Sequence, residues 1–253
     1  MASNEELLIN VTPRETRVAV VENGLLQELH IERSSKRGVL GNIYKGRVQR
    51  VMPGMQAAFV DVGLERAAFL HASDIVQAVS APFTAESVPS ERRPPPLITS
   101  LVHEGQDIIV QVIKDPIGSK GARLTTEISI PSRYLVLLPD SQTIGVSSRI
   151  EEEQERQRLK QLVQAHANSS GCGYIVRTNA EGVEAAFIEQ DIVYLGRAMQ
   201  VIRRRGEHAV TGECLFDDLS LPMRAVRDML HARVATVQID SREMFDKVQL
   251  FAQ

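Results

Sequence analysis

Three short bursts of alternating apolar and polar positions run from residue 41 to 75, separated by turn signals, and predict a small antiparallel barrel with one wet face. In the first burst Tyr44, Gly46 and Val48 share one side of a strand, and Lys45, Arg47 and Gln49 share the other. Pro53-Gly54 then turns the chain. In the second burst Ala58, Val60 and Val62 point one way, and Ala57, Phe59 and Asp61 the other. After a turn at 63–66, Ala68 and Leu70 continue the apolar side, which leaves Phe69 and His71 with the polar set. Two phenylalanines therefore fall on the face that carries the charges. A register shift of one residue swaps the two faces, so periodicity by itself leaves an ordinary core role for both rings open.

On either side of this stretch the pattern changes. Residues 7–11, 16–21 and 25–31 read as a meander of strands, with Asn23-Gly24 as a hairpin signal. Three strands with no following helix cannot cover both faces, so this sheet needs a partner from elsewhere in the chain. Residues 77–99, rich in Pro, Ser, Ala and charge, predict a mobile loop. A strand resumes at 107–113, and a second small sheet spans 128–139 with 134–138 as its core strand. Ser148-Arg149-Ile150-Glu151 reads as a capping box opening a helix to about residue 167, with Leu159, Leu162 and Val163 buried and Glu152 paired with Arg156. A strand at 174–177 and a turn at 178–182 lead into another helix, which buries Ile188, Ile192, Leu195, Met199 and Ile202 and ends in Arg203-Arg204-Arg205, where the charges favour the helix dipole as readily as RNA. Helix 223–231, strand 236–239 and a helix from Ser241 follow. The last residues lack a Gly or Pro terminator, and this ending looks cut off.

Composition narrows the function classes. With 253 residues, 43% hydrophobic and 24% charged, the chain is ordinary globular material for two or three units. A net charge of −3 argues against a uniformly basic coat. Locally, however, Lys36, Arg37, Lys45, Arg47 and Arg50 occur between 36 and 60 with no acid among them. Such a stripe suits a groove that binds and releases RNA, and a solvated strand face is its plain alternative. Cys172 and Cys214 lie far apart without CxxC spacing, so neither zinc nor a disulfide framework is indicated and reduced cytoplasmic thiols are expected. No apolar run reaches membrane-span length, and the polar start is not a secretory signal.

Candidate chemistry sits at three places. Phenyl rings beside cations offer bases a stacking surface worth roughly 1–3 kcal/mol per base. At 118–121 glycines flank Lys120, which lets backbone and ammonium approach a phosphate together, although a plain hairpin with solvated charges fits the spacing equally. Arg177-Thr178 puts a bidentate guanidinium beside a hydroxyl at a strand end ahead of a helix, an arrangement suited to a terminal phosphate; a surface ion pair is the commoner use of such an arginine. Asp217-Asp218 reads as capping and solvation rather than as a metal pair.

Residues 42–75 resemble an S1-type RNA-binding domain, an oligonucleotide-binding (OB) barrel, through KGRV, AAFVDVG and AAFLHASDI. Together with LLINVTPRETRVAVVENGLLQELHIER, VQVIKDPIGSKGARLTTEISIPSRYLVLLP and YIVRTNAEGV, the chain is similar to the N-terminal region of the ribonuclease E/G family, its ribonuclease G branch in particular. The resemblance implies an α+β chain: an S1-type OB barrel (39–127) inserted in a split ribonuclease-H-like subdomain (1–38 and 216–253), with an α/β 5′-monophosphate sensor at 128–215. It implies that Phe59, Phe69 and Lys120 hold single-stranded RNA, with Lys114, Lys45 and Arg47 as further candidates. Arg177 and Thr178 would bind the 5′-phosphate, Val136 would close the pocket and Arg149 would assist, although Ser148 stands where some members carry a second arginine. The implied function is RNA binding and 5′-end sensing within an endoribonuclease that acts on single-stranded A/U-rich RNA in rRNA processing and mRNA decay. In the family, Mg²⁺ is held by acidic residues of a downstream domain and Zn²⁺ is shared between subunits, so residues 1–253 are expected to bind RNA without cofactor or cleavage, and to form homo-oligomers only as part of a longer chain. A stand-alone, non-catalytic RNA-binding protein is the alternative.

Overall fold

A computed structural model describes residues 5–76, 96–230 and 233–252. The expected meander is present: β1 (Glu5–Val11), β2 (Glu15–Glu22) and β3 (Leu25–Arg33) pair antiparallel in sequence order. Asn23 and Gly24 both take positive φ, 51° and 79°, as the tight turn of a twisted hairpin demands.

The next strands are β4 (Ile43–Met52), β5 (Ala57–Asp61) and β6 (Ala68–His71), followed by a short helix α1 (Ile98–Leu101), then β7 (Asp107–Lys114) and β8 (Arg123–Thr125). Antiparallel pairs β4–β5, β5–β6, β7–β8 and β4–β7, with the parallel pair β6–β8, close these five strands into an OB-like barrel. Val48, Val60, Ala68, Leu70, Val110, Val112 and Leu124 fill it and are fully buried, each larger side chain contributing roughly 1.5–3 kcal/mol. The apolar side read from alternation is thus the barrel interior. Part of the predicted loop 77–99 is structured. Residues 77–95 lie outside the described ones, but Ile98 is fully buried and its N–H donates to Gln56 Oε1 at 2.9 Å, so residues 98 and 99 of the expected loop already belong to α1.

Next come β9 (Ile130–Pro131), β10 (Leu135–Leu138), β11 (Ile144–Val146), α2 (Glu153–Ser170), β12 (Gly173–Val176), α3 (Ala185–His208) and β13 (Cys214–Phe216). The order β11-β12-β10-β9 makes a second sheet on which α2 and α3 pack, and β13 joins the barrel beside β4. The expected capping box does not form. The helix begins at Glu153 because the preceding chain is held in a turn: Ile150 is buried and its N–H donates to the Ser147 carbonyl at 3.2 Å. Arg156 donates to the carbonyls of Ser147 and Ile150 at 2.7 and 3.1 Å and pairs with Glu153, not Glu152, at 3.6 Å.

Glu155 ties the start of α2 to the chain ahead of α3. Its carboxylate accepts two hydrogen bonds from Arg158 at 2.7 Å and one from the Gly182 N–H at 2.9 Å. The Arg158 bond, more than the Gly182 bond, lowers the Glu155 pKa from 4.5 to about 2. The stabilisation is fully present above the ordinary carboxylate value and is lost as pH falls towards the folded-state value. Glu155→Gln should therefore unfold at lower urea concentration than the parent at about pH 6, and the gap should shrink by about pH 3. A gap independent of pH would show that charge plays no part.

The remaining elements are α4 (Leu221–Met229), β14 (Val234–Ile239) and α5 (Arg242–Ala252). β14 pairs parallel with β1, giving the sheet β14-β1-β2-β3. Leu7, Ile9 and Val18 from the first strands pack with Leu221, Ala225, Val226 and Val248. This is the partner the three-stranded start required. By contacts the chain divides into one unit of residues 1–38, 179–181 and 218–253, and another of 39–178 and 182–217. α4 ends at Met229, two residues before the predicted end at 231, which lies outside the described residues. Asp218 accepts from the buried Arg227 guanidinium at 3.2 Å, an ion-pair use of the Asp-Asp motif. Among the described residues no group of three or more His, Cys, Asp or Glu could hold a metal, and no helix is long and apolar enough to cross a membrane.

Candidate nucleic-acid interface

Cross-strand register sets one lateral row on the outside of the barrel. Arg50 of β4 stands opposite Phe59 of β5, Phe59 opposite Phe69 of β6, Phe69 opposite Arg123 of β8, and Arg123 opposite Lys114 of β7. Both rings are half-buried on the outer face, not in the interior. Their centroids lie 6.1 Å apart at 70°, an edge-to-face pair, and Phe69 stacks on His71 at 6.4 Å and 30°. His71 is itself held by Ser73, whose hydroxyl lies 2.8 Å from Nδ1. Three rings thus make a fixed platform flanked by cations, and a flat, preformed apolar surface of this kind is what an unstacked base can rest on.

The cations are not equivalent. Arg123 forms a forked pair with Asp74, 2.9 and 3.3 Å, so much of its charge is neutralised where it stands. Among the described residues no ion pair engages Arg50, Lys114 or Lys120, all exposed. Lys45 and Arg47 are brought elsewhere. The Lys45 ammonium donates to the Gly206 carbonyl near the end of α3 at 3.1 Å, and Arg47 pairs with Asp107 at 2.7 Å. The Arg47 hydrogen bond holds Asp107 below the usual carboxylate range. Gly121 also has a structural use beside the one expected. A Cβ there would come within 2.0 Å of the Ala67 carbonyl, so glycine is needed for the turn carrying Lys120 to lie against the start of β6.

The sequence gives Arg50 only as part of the basic stripe, and His71 only as a residue of the polar face, with no place beside the rings for either. Strict alternation along β4 puts Arg50 on the inner side with Val48. A register shift between Val48 and Arg50 turns it outward beside Phe59, and no local signal in the sequence marks that bulge. Alternation puts His71 on the same face as Phe69, but its stacking on that ring needs the ring geometry.

The second candidate lies at one end of the β11-β12-β10-β9 sheet. Leu135, Leu137, Tyr174 and Val176 face the helices and are buried, which leaves Val136 and its cross-strand partner Ile175 on the other face. Arg177, two residues beyond Ile175, continues that face. Its N–H donates to the Tyr134 carbonyl at 2.8 Å, and its guanidinium donates to the Ser132 carbonyl at 2.6 Å. Arg149 reaches the same sheet end, because β11 runs parallel to β12 and the Ser147 N–H donates to the Val176 carbonyl at 2.9 Å; its side chain is exposed. Thr178 begins a single 3-10 turn, Thr178–Ala180, and α3 starts only at Ala185. The electropositive helix end expected next to Arg177-Thr178 is therefore seven residues beyond Thr178 along the chain, and the cations near this end are arginines, Arg177 and Arg149 among them. Behind them Asp191 of α3 is pushed above the usual carboxylate range by burial, an effect opposed by the Ser132 hydroxyl, the amides of Tyr134 and Leu135, and the charge of Arg177.

Comparison with known proteins points to one family. A model of the ribonuclease E/G family matches residues 129–253. Over 246 residues, 97% of the chain, the sequence is 50% identical to ribonuclease G of Escherichia coli K12 and 49% identical to ribonuclease G of Haemophilus influenzae. Over the same length it is 35% identical to ribonuclease E of Haemophilus influenzae. The chain spans about half the length of the ribonuclease G relatives, 50% and 49%, and 26% of that ribonuclease E. With half of all residues identical across nearly the whole of its length, the chain belongs to the ribonuclease E/G family.

Proposed function

We propose that this chain is the RNA-binding and 5′-monophosphate-sensing part of a ribonuclease-G-like endoribonuclease that acts on single-stranded A/U-rich RNA in rRNA processing and mRNA decay. The observation that carries the reading is the row Arg50, Phe59, Phe69, Arg123 and Lys114 on the outside of the barrel: two rings for the bases, with the exposed cations Arg50 and Lys114 at its two ends for the phosphates. In this reading the barrel of 39–127 is an S1-type domain, 128–215 is the sensor, and the sheet joining the two chain ends is a ribonuclease-H-like scaffold. Arg177, Thr178 and Arg149 take the 5′-phosphate, and Val136 with Ile175 forms the apolar wall beside it. Hydrolysis belongs to a Mg²⁺-dependent domain outside these residues, as does a shared zinc site. These residues bind RNA and position it, and a purified chain of residues 1–253 will not cleave a monophosphorylated A/U-rich oligonucleotide supplied with Mg²⁺.

The test is a salt series of RNA affinity. For single strands each phosphate contact contributes about 0.7 to the slope of log affinity against log salt. Lys114→Ala and Lys120→Ala should each flatten the slope by about that amount. Lys45→Ala should leave it unchanged, because that ammonium is engaged by the Gly206 carbonyl. Flattening by Lys45→Ala alone would move the RNA track to the α3 side of the barrel, and no flattening by any of the three would remove RNA from the barrel's outer face.

A further inference from the structure

We infer that Asp191 is a positioning residue for the 5′-phosphate pocket: it clamps the turn from Ser132 to Leu135, and that turn in turn aims the Arg177 guanidinium. The inference rests on Arg177 being a phosphate ligand, as proposed above.

Asp191 sits on α3, and one of its oxygens, Oδ2, collects three hydrogen bonds from the β9–β10 connection and the first residue of β10. The Ser132 hydroxyl donates at 2.5 Å, the Tyr134 N–H at 3.0 Å and the Leu135 N–H at 3.1 Å. Two of these donors belong to the residues that hold Arg177. Ser132 offers its hydroxyl to Asp191 and its carbonyl to the Arg177 guanidinium, 2.6 Å away. Tyr134 offers its N–H to Asp191 and its carbonyl to the Arg177 N–H, 2.8 Å away. The side-chain anchor and the backbone anchor of Arg177 are therefore both fastened to the same carboxylate oxygen. An arginine side chain has much rotamer entropy to lose, and a guanidinium held in advance loses less of it when a phosphate arrives. Asp191 touches neither RNA nor phosphate in this scheme. Its contribution is the fixed direction of the Arg177 fork, which the Ser132 carbonyl holds from one side.

A tether of α3 to the sheet would use the same bonds, so stability alone does not separate the two roles. The discriminating quantity is the ratio of affinities for a 5′-monophosphate and a 5′-hydroxyl oligonucleotide of one sequence, measured on the folded chain at fixed salt. Asp191→Ala should lower that ratio about tenfold and leave 5′-hydroxyl affinity at the parent value. Asp191→Asn retains an acceptor oxygen and should restore part of the ratio. Ser132→Ala removes the hydroxyl link, keeps the carbonyl that faces Arg177, and should lower the ratio about threefold. If Asp191→Ala does not fold, the other two variants carry the test. A parent-like ratio in folded Asp191→Ala, or in both Asp191→Asn and Ser132→Ala, overturns the inference, as does an equal loss for the two ligands, which marks a plain tether. Arg177→Ala, measured alongside, keeps the failures apart: a parent-like ratio there overturns the phosphate reading itself, whereas an abolished ratio there with parent-like Asp191 variants overturns only the positioning role.

Discussion

Replacing Phe59 and Phe69 together with alanine is expected to weaken binding of a 5′-hydroxyl, single-stranded A/U-rich oligonucleotide by about 30-fold or more. Stacking is worth roughly 1–3 kcal/mol per base, and each tenfold step corresponds to about 1.4 kcal/mol, so two rings supply at least that factor. The barrel should remain folded, because the rings lie on its outer face and the interior of Val48, Val60, Leu70 and Leu124 is untouched. The edge-to-face pair is also lost, which lowers stability modestly, by about 0.5–1.5 kcal/mol. Affinity measured by fluorescence anisotropy, with circular dichroism as the folding control, separates the two effects. Undiminished RNA affinity in a folded double variant would show that this face binds something other than RNA, a protein partner being the alternative to pursue.

Arg177→Ala should abolish the preference for a 5′-monophosphate over a 5′-hydroxyl end and leave binding along the rest of the RNA nearly intact. A charged hydrogen-bonding group is worth about 1.5–3 kcal/mol, so the ratio of affinities should fall by about 10- to 100-fold. The structure adds a cost that the sequence did not foresee. Removing the guanidinium leaves the Ser132 carbonyl without its 2.6 Å donor and removes a positive charge that favours ionised Asp191. A fall in stability on the order of 1–3 kcal/mol is therefore expected as well, and the binding comparison belongs well below the variant's melting point. Equal weakening for both RNA ends would identify the arginine as structural.

Much of the architecture was legible because it follows from local rules. Two-residue alternation separated Val48, Val60, Ala68 and Leu70 from Phe59 and Phe69, and the barrel keeps them apart. Asn23-Gly24 could only be a tight turn, and Ile188, Ile192 and Leu195 could only be one helix face. The errors share a physical cause. The capping box at 148–151 satisfies the local pattern, but burial of Ile150 and the reach of Arg156 to two carbonyls override it. The strands β11 and β13 are three residues each and gain their place only from a neighbour, β12 in one case and β4 in the other.

The sequence by itself determined which residues are available for binding: the rings on the charged strand face, the lysines at the end of β7 and in the turn after it, and an arginine at the end of a buried strand. These depend on side-chain period and composition, which are local. Only the tertiary structure decided which of those cations face a ligand and which are occupied by the protein. Lys45 meets a helix carbonyl contributed from 161 residues further along the chain, Arg47 an aspartate 60 residues away, and Arg177 a carbonyl 45 residues back. Arg50 enters the row through a bulge whose only cause is pairing with another strand. The energy of a charged group depends on what stands within a few ångströms of it, and for these residues that neighbour is chosen by the fold and not by the adjacent sequence.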